Sequence, residues 1–260
     1  MSATIDYLLH LADNAVVLGQ RDAEWCGHGP ILEEDLALAN VSLDLIGQAR
    51  LLYQRAAELK GDGTTEDQLA YFRDSQAFRN YTLLELPHHG ALVGYAVADR
   101  DYAATIVRNF LYSALMVHVW DALQTSADST LAGIAAKSLK EATYHLHHSR
   151  DWLVRMGDGT DESHARAQAA VNHLLPYTEE FWTVSPAETA AVEAGVGVDV
   201  RTLRAAWDAL VNDALAEATL TRPQVRGYVP QGKVGLHSEH LGFLLAEMQS
   251  LARAHPDGCW

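Results

Sequence analysis

The chain has 260 residues, 48% of them hydrophobic and 20% charged, which excludes a disordered or membrane-embedded protein and allows a sizeable core. Its 34 acidic and 19 basic residues give a net charge of −15 and argue against a nucleic-acid backbone as partner, since phosphate contacts need a basic face. No apolar run approaches the roughly 20 residues that span a bilayer, and the acidic N-terminal stretch lacks the basic region of a signal peptide. Cys26 and Cys259 sit near opposite ends, in a spacing that requires no disulfide, so a reduced cytoplasmic protein is expected.

The apolar spacing is helical almost throughout. A first helix is predicted from about Thr4 to Arg21, with Leu8, Leu9, Ala12 and Val16 facing inward and Asp13 on the shoulder. After the loop DAEWCGHGP, Pro30 suits the first turn of a second helix that runs to about Lys60 and stops at GDG. Shorter helical pieces fill about Glu66 to Glu85, and LPHHG breaks the pattern. Long helices follow from about Asp101 to Thr125 and from about Ser129 to Met156, the latter again stopping at GDG. Beyond Thr160 come a helix to about Trp182, another from about Val200 to Thr221, a Gly/Pro-rich loop and a closing helix from His237.

GDGTTED at Gly61 and GDGTDES at Gly157 each close a helix of nearly 30 residues, about 40 Å long at 1.5 Å per residue. Each is preceded by another helix. The expectation is an all-α fold: two helical hairpins forming a four-helix bundle core, with additional C-terminal helices, in a single domain over 1–260. An internal duplication and chance recurrence of a short turn both account for the echo.

KEATYHLHHS, Lys140 to Ser149, raises the question of chemistry. A di-iron bundle uses Glu-x-x-His, but here the first histidine comes four residues after Glu141. At about 100° per residue, Glu141 lies at the edge of the apolar face, His145 about 40° inside it and His148 on the same stripe, while Tyr144 points outward. In the second helix Asp44 and Gln48 repeat that shape: acid at the edge, hydrogen-bonding side chain turned inward four residues later. A di-iron site also needs a carboxylate from each of the other two helices. The turn facing Glu141 reads FLYSA and has none, and the inward positions of the first helix are apolar. His118 and Asp121 fall on the inward side, one to two turns away. Two readings follow: a buried hydrogen-bond network through Glu141, His145 and Gln48, or a mononuclear metal site using Glu141, His145 and His148.

Other motifs carry less. Cys26 and His28 lack the further ligands of a zinc site, and Trp25 is expected to pack their loop. QGKVGLHSEH is neither a Walker A loop nor a His-Glu-x-x-His zinc motif; by itself it reads as a flexible loop with Lys233 exposed, leading into an amphipathic helix. GVGVDV lacks the third glycine and the preceding strand of a dinucleotide fingerprint. There is no Gly-x-Ser-x-Gly elbow and no Cys–His pairing suited to nucleophilic catalysis.

Three long segments, LGQRDAEWCGHGPILEEDLALANVSLDLIGQARLLYQRAAEL, KSLKEATYHLHHSRDWLVRMGDGTDESHARAQAA and GLHSEHLGFLLAEMQSLAR, closely resemble the family of C-type subunits of bacterial ring 1,2-phenylacetyl-CoA epoxidases, and the match runs in order along the whole chain. The resemblance implies a ferritin-like fold related to the catalytic, A-type partner but without its iron ligands, so that Asp44, Gln48, Glu141, His145 and His148 become degenerate positions. It implies a non-catalytic structural role in aerobic phenylacetate degradation. No cofactor is expected in this chain. The iron is expected in the catalytic A-type partner, which epoxidises the ring with molecular oxygen and takes electrons from a flavin and iron–sulfur reductase. The assembly also includes a further small subunit, and self-association is expected when the partner is absent. The alternatives are an independent metal-dependent oxidase built on Glu141, His145 and His148, or a generic helical adaptor. One departure from the family is HHGALVGYAVADRDYAAT, longer than the usual link there and expected to alter a loop at the bundle's edge.

Overall fold

The computed structural model describes residues 3–89, 100–224, 227 and 229–258. Most of the lengthened link, and Cys259, lie outside the described residues. In chain order the α-helices are α1 (Ala3–Ala23), α2 (Leu32–Lys60), α3 (Glu66–Tyr71), α4 (Thr82–Glu85), α5 (Tyr102–Leu123), α6 (Ser129–Gly157), α7 (Asp161–Leu174), α8 (Pro186–Glu193), α9 (Arg204–Glu217) and α10 (Glu239–Ala254). Short 3₁₀ segments punctuate them, and the described residues form no strand. Among the described residues no helix is long and apolar enough to cross a membrane. The chain divides into two compact units, one of Met1–Leu86, Ser185–Gly197 and Pro230–Trp260, the other of Pro87–Val184 and Val198–Val229.

The first unit is built on the antiparallel hairpin of α1 and α2. Ser42 donates its hydroxyl to the Gly19 carbonyl at 2.7 Å near the loop end, and Tyr53 reaches Asp13 further down. Leu8, Ala12, Leu38, Leu45 and Leu52 fill the space between, all essentially inaccessible, while Leu59 at the last turn emerges to solvent. Pro30 stands ahead of α2 rather than within its first turn: Ile31 is the extended residue before the helix, and Asp35 accepts from the Gly29 N–H. The far end stops at Gly61, whose φ of 63° is the left-handed conformation that glycine adopts without a Cβ penalty.

The sequence pattern contains α8, which the predicted elements omit. Ser185 accepts from the Glu188 N–H while Glu188 accepts from the Ser185 N–H, with Pro186 between them at the first helical position. α8 packs on α1, as does α10.

The second unit repeats the long hairpin with α5 and α6; Tyr102 at the start of one meets Trp152 near the end of the other, edge to face at 5.5 Å. α6 has 29 residues, as α2 does. The two GDG turns share a plan without sharing detail. Thr65 caps α3 and Thr160 caps α7, each in a reciprocal capping box, one residue apart in register. But Gly61 is a left-handed stop, whereas Gly157 is still helical: a Cβ there would lie 2.2 Å from the Ala218 carbonyl oxygen, so only glycine allows that approach.

The single helix predicted to Trp182 ends at Leu174 instead. Pro176 has no N–H for the α-helical ladder, and the chain continues as a 3₁₀ run over Leu175–Trp182. That run sets Phe181 and Trp182 around the buried Trp207 of α9, whose indole N–H donates to the Leu111 carbonyl at 3.1 Å. α9 itself stops at Glu217, four residues before the predicted end, and Thr219 turns the chain at φ 58°.

Candidate functional site

The five degenerate positions are divided between the two units. Asp44 and Gln48 lie on α2, half-buried and buried; Glu141, His145 and His148 lie on α6, where only His145 is buried. The wheel thus places His145 and Gln48 inward correctly and Tyr144 outward. Glu141 does not join the histidines around a metal: its carboxylate takes the ammonium of Lys137, one turn earlier, and His148 stacks on Tyr144 with ring centroids 6.3 Å apart. Among the described residues no three His, Cys, Asp or Glu side chains converge to hold a metal ion. The described arrangement lends no support to a mononuclear site at Glu141, His145 and His148. Asp121, predicted inward, is exposed and His118 half-buried, because α5 is enclosed over most of its length but emerges in its last turns.

A buried polar cluster lies elsewhere, inside the first unit, and begins at Asp13. This residue is fully buried, not on the shoulder of α1. Tyr53 donates its hydroxyl to one oxygen at 2.6 Å, the Arg73 guanidinium bridges both oxygens, and the Arg79 N–H donates to the second at 2.8 Å. Burial, then the Asp13 charge, pushes the Tyr53 phenol well above its ordinary value. Burial alone would weaken the charge on Arg73, but Asp13 beside it more than compensates and raises the group further. With both oxygens engaged by donors, Asp13 has no lone pair directed at a metal or a substrate proton.

One turn away His10 and Asn14 extend the cluster. A ring nitrogen of His10 lies 2.6 Å from the Arg79 carbonyl, and Asn14 accepts from the Tyr81 N–H at 2.7 Å. Burial holds the His10 imidazole below its ordinary value, so it is neutral near pH 7.

A second buried carboxylate, Glu188 of α8, meets Lys233 at 2.9 Å, and both side chains are almost wholly enclosed. The Lys233 ammonium also lies over the Tyr81 ring, 5.3 Å from its centre. Burial would raise the Glu188 carboxyl, but His10, Lys233 and the Ser185 N–H outweigh it and hold the group below the usual carboxylate range. Lys233 is therefore not the exposed loop residue the sequence suggests. A third carboxylate, Glu85, accepts from Asn80 at 3.0 Å, lies 2.9 Å from His237 Nδ1, and receives the Ser238 N–H. The stretch around QGKVGLHSEH is pinned at two buried points, Lys233 and His237. Near Cys26 and His28, both exposed, Trp25 is buried and packs the loop as expected.

The family described as phenylacetic acid catabolic protein matches residues 1–260. The chain belongs to that family. A curated relative, the C subunit of 1,2-phenylacetyl-CoA epoxidase from Escherichia coli (strain K12), is 47% identical over 260 residues, which is 100% of both chains. Membership bears out the all-α, ferritin-like expectation.

A di-iron centre needs carboxylates with oxygens left to ligate iron, and several of this chain's are already engaged. Of the five buried carboxylates of the first unit (Asp13, Asp22, Glu34, Glu85 and Glu188), three are neutralised or saturated by protein groups: Arg73 and Tyr53 at Asp13, Lys233 at Glu188, His237 and Asn80 at Glu85. On α6, Glu141 carries Lys137. Sequence reasoning passed over this cluster, although His10, Asp13 and Asn14 place three polar groups at i, i+3 and i+4 of an otherwise apolar helix. That spacing is the available signal; the partners Arg73, Glu188 and Lys233 come from distant segments and have none.

Proposed function

We propose that this chain is the non-catalytic structural subunit of a multicomponent 1,2-phenylacetyl-CoA epoxidase in aerobic phenylacetate degradation. It pairs with and supports a di-iron catalytic partner, and the small and reductase subunits join the same complex. Iron belongs to the catalytic partner, and none to this chain. A cytoplasmic location goes with the same reading. The observation that carries it is the full-length, 47% identity to the C subunit of such an epoxidase. The engaged carboxylates support it: Asp13, Glu188 and Glu85 are committed to arginine, lysine and histidine inside the first unit. Gln48 and His145, buried in their separate units, act as internal polar positions.

The test is co-expression with the neighbouring gene products, followed by epoxidation assays with and without this chain. A stable complex whose activity depends on this chain is expected, and the chain purified alone after iron-supplemented expression should carry no stoichiometric metal. About two irons per chain, the content of a di-iron bundle, would reject the reading; failure to form any complex would favour a generic helical adaptor. Glu141→Ala should leave metal content unchanged and stability within about 0.5 kcal/mol, the scale of a partly exposed i,i+4 ion pair.

A further inference from the structure

α2 is apolar on two faces. Leu38, Val41, Leu45 and Leu52 form its inner face and are buried in the first unit. On the roughly opposite side, Leu32, Leu36, Leu43 and Ile46 fall within about 80° of one another at 100° per residue, and they are 71%, 56%, 66% and 39% exposed. Ala39 and Gly47 lie on the same stripe, and beyond the Gly47 Cα there is open space. A surface helix ordinarily turns charged or polar residues to that side, and a helix apolar all round is a buried one.

The stripe does not end at Ile46. It runs into a groove of about 800 Å³ between α2, α3 and α10, whose walls Ile46 shares with the exposed Phe72 and Leu251. The helical stripe and the two groove residues bring together six large apolar side chains that are 39–71% exposed, where a monomer ordinarily scatters such residues singly. An interface of standard size buries roughly 800 Å² per partner with a more apolar centre, and such a cluster suits that centre.

The rim identifies the occupant. Glu33 and Asp35 flank the stripe at its start and Asp44 lies beside its middle; further on, Arg50 stands in line with the stripe but is paired with Glu66 at 2.7 Å, and Glu58 is paired with Arg55, on a chain of net charge −15. Two copies of this chain meeting through the stripe would set one acidic rim against another, which self-association disfavours. An aliphatic helix face edged with lysine or arginine meets both requirements, apolar centre and opposite charge.

We propose that the outward stripe of α2, with the adjoining groove, is the docking surface for the catalytic partner, which presents an aliphatic helix face with a basic rim. This rests on the epoxidase reading given under the proposed function. The stripe supplies the buried centre of the interface and the acids orient the approach. Because the four aliphatic side chains make no use of their outer surface within the first unit, their replacement tests docking without opening a core.

The experiment uses the full-length chain and the purified catalytic partner encoded beside it, mixed and followed by size-exclusion chromatography and titration calorimetry. The Leu36→Glu/Leu43→Glu double variant should keep the far-ultraviolet dichroism and unfolding midpoint of the parent yet bind about 100-fold more weakly or not at all, as loss of central anchors does. Tyr144→Glu, on the exposed face of α6 in the other unit, should bind as the parent does. Raising the salt should weaken the parent complex, as a charged rim requires. Unchanged binding by the double variant, with the parent forming the complex, overturns the surface assignment and leaves the epoxidase reading standing. A parent chain that dimerises through the stripe and then refuses the partner overturns the assignment of occupant. A parent that binds none of the epoxidase proteins overturns the reading itself and this proposal with it.

Discussion

Asp13→Ala is expected to destabilise the protein by about 3–5 kcal/mol, the scale on which removing one member of a buried ion pair acts. The carboxylate is fully enclosed and is the common acceptor for Tyr53, Arg73 and the Arg79 N–H. Its loss leaves a guanidinium held over the Phe78 ring at 4.4 Å with no counter-charge, and two further buried donors with nothing to donate to. Asp13→Asn keeps the shape but not the charge, and one of its two polar atoms would present N–H groups to other donors, so it should recover only part of the loss. Urea midpoints of the parent and both variants check this, at constant slope. The alkaline limb offers a second reading. The Tyr53 phenol is raised well above its ordinary value, so it contributes stability that is present below pH 10 and is lost as the pH climbs beyond it. In Asp13→Asn the Asp13 contribution to that shift disappears, and Tyr53 should ionise at a lower pH than in the parent.

The long helices were legible because their apolar period is sustained over six to eight turns, and α1, α2, α5 and α6 fall within a few residues of where the pattern puts them. The inward turn of His145 and Gln48 was legible for the same reason: one wheel, referred to a long apolar face, fixes an angle well. Short and irregular pieces were not. α8 is two turns long and announces itself only through its cap, and the break at Leu174 depends on Pro176 within an otherwise helical run. Polar interiors were the least legible part. Asp13 looked peripheral because a wheel built on α1 and α2 alone ignores α3 and the turn after it, from which Arg73 and Arg79 approach. Lys233 looked exposed because lysine in a Gly-rich loop usually is, and the carboxylate that holds it inside lies 45 residues earlier.

Lys233→Met is expected to cost about 3–5 kcal/mol at pH 7, because it removes the cation from a buried pair while keeping the volume of the stem. The pH dependence tells this loss from a packing defect. In the parent, Glu188 is held below its ordinary value, so the stability it contributes is present above pH 4.5 and is lost as the pH falls through the depressed value. The neutral His10 acts in the same direction: its stability is present above pH 6.5 and lost on acidification. Without Lys233, burial becomes the dominant influence on Glu188 and should lift it, and the repulsion that helped depress His10 is gone. A proton entering at either residue then relieves the isolated charge. The gap in stability between parent and variant should therefore narrow as the pH drops from 7 to 5, measured by urea unfolding at both values. A gap that stays constant would mean the loss came from packing alone. Replacing both partners, Glu188→Leu with Lys233→Met, removes the orphaned charge and should return most of the stability, since an apolar pair of similar volume is often as good as a buried ion pair. Recovery short of that would locate a further role in the loss of the Glu188 contact with the Ser185 N–H, the reciprocal cap that starts α8.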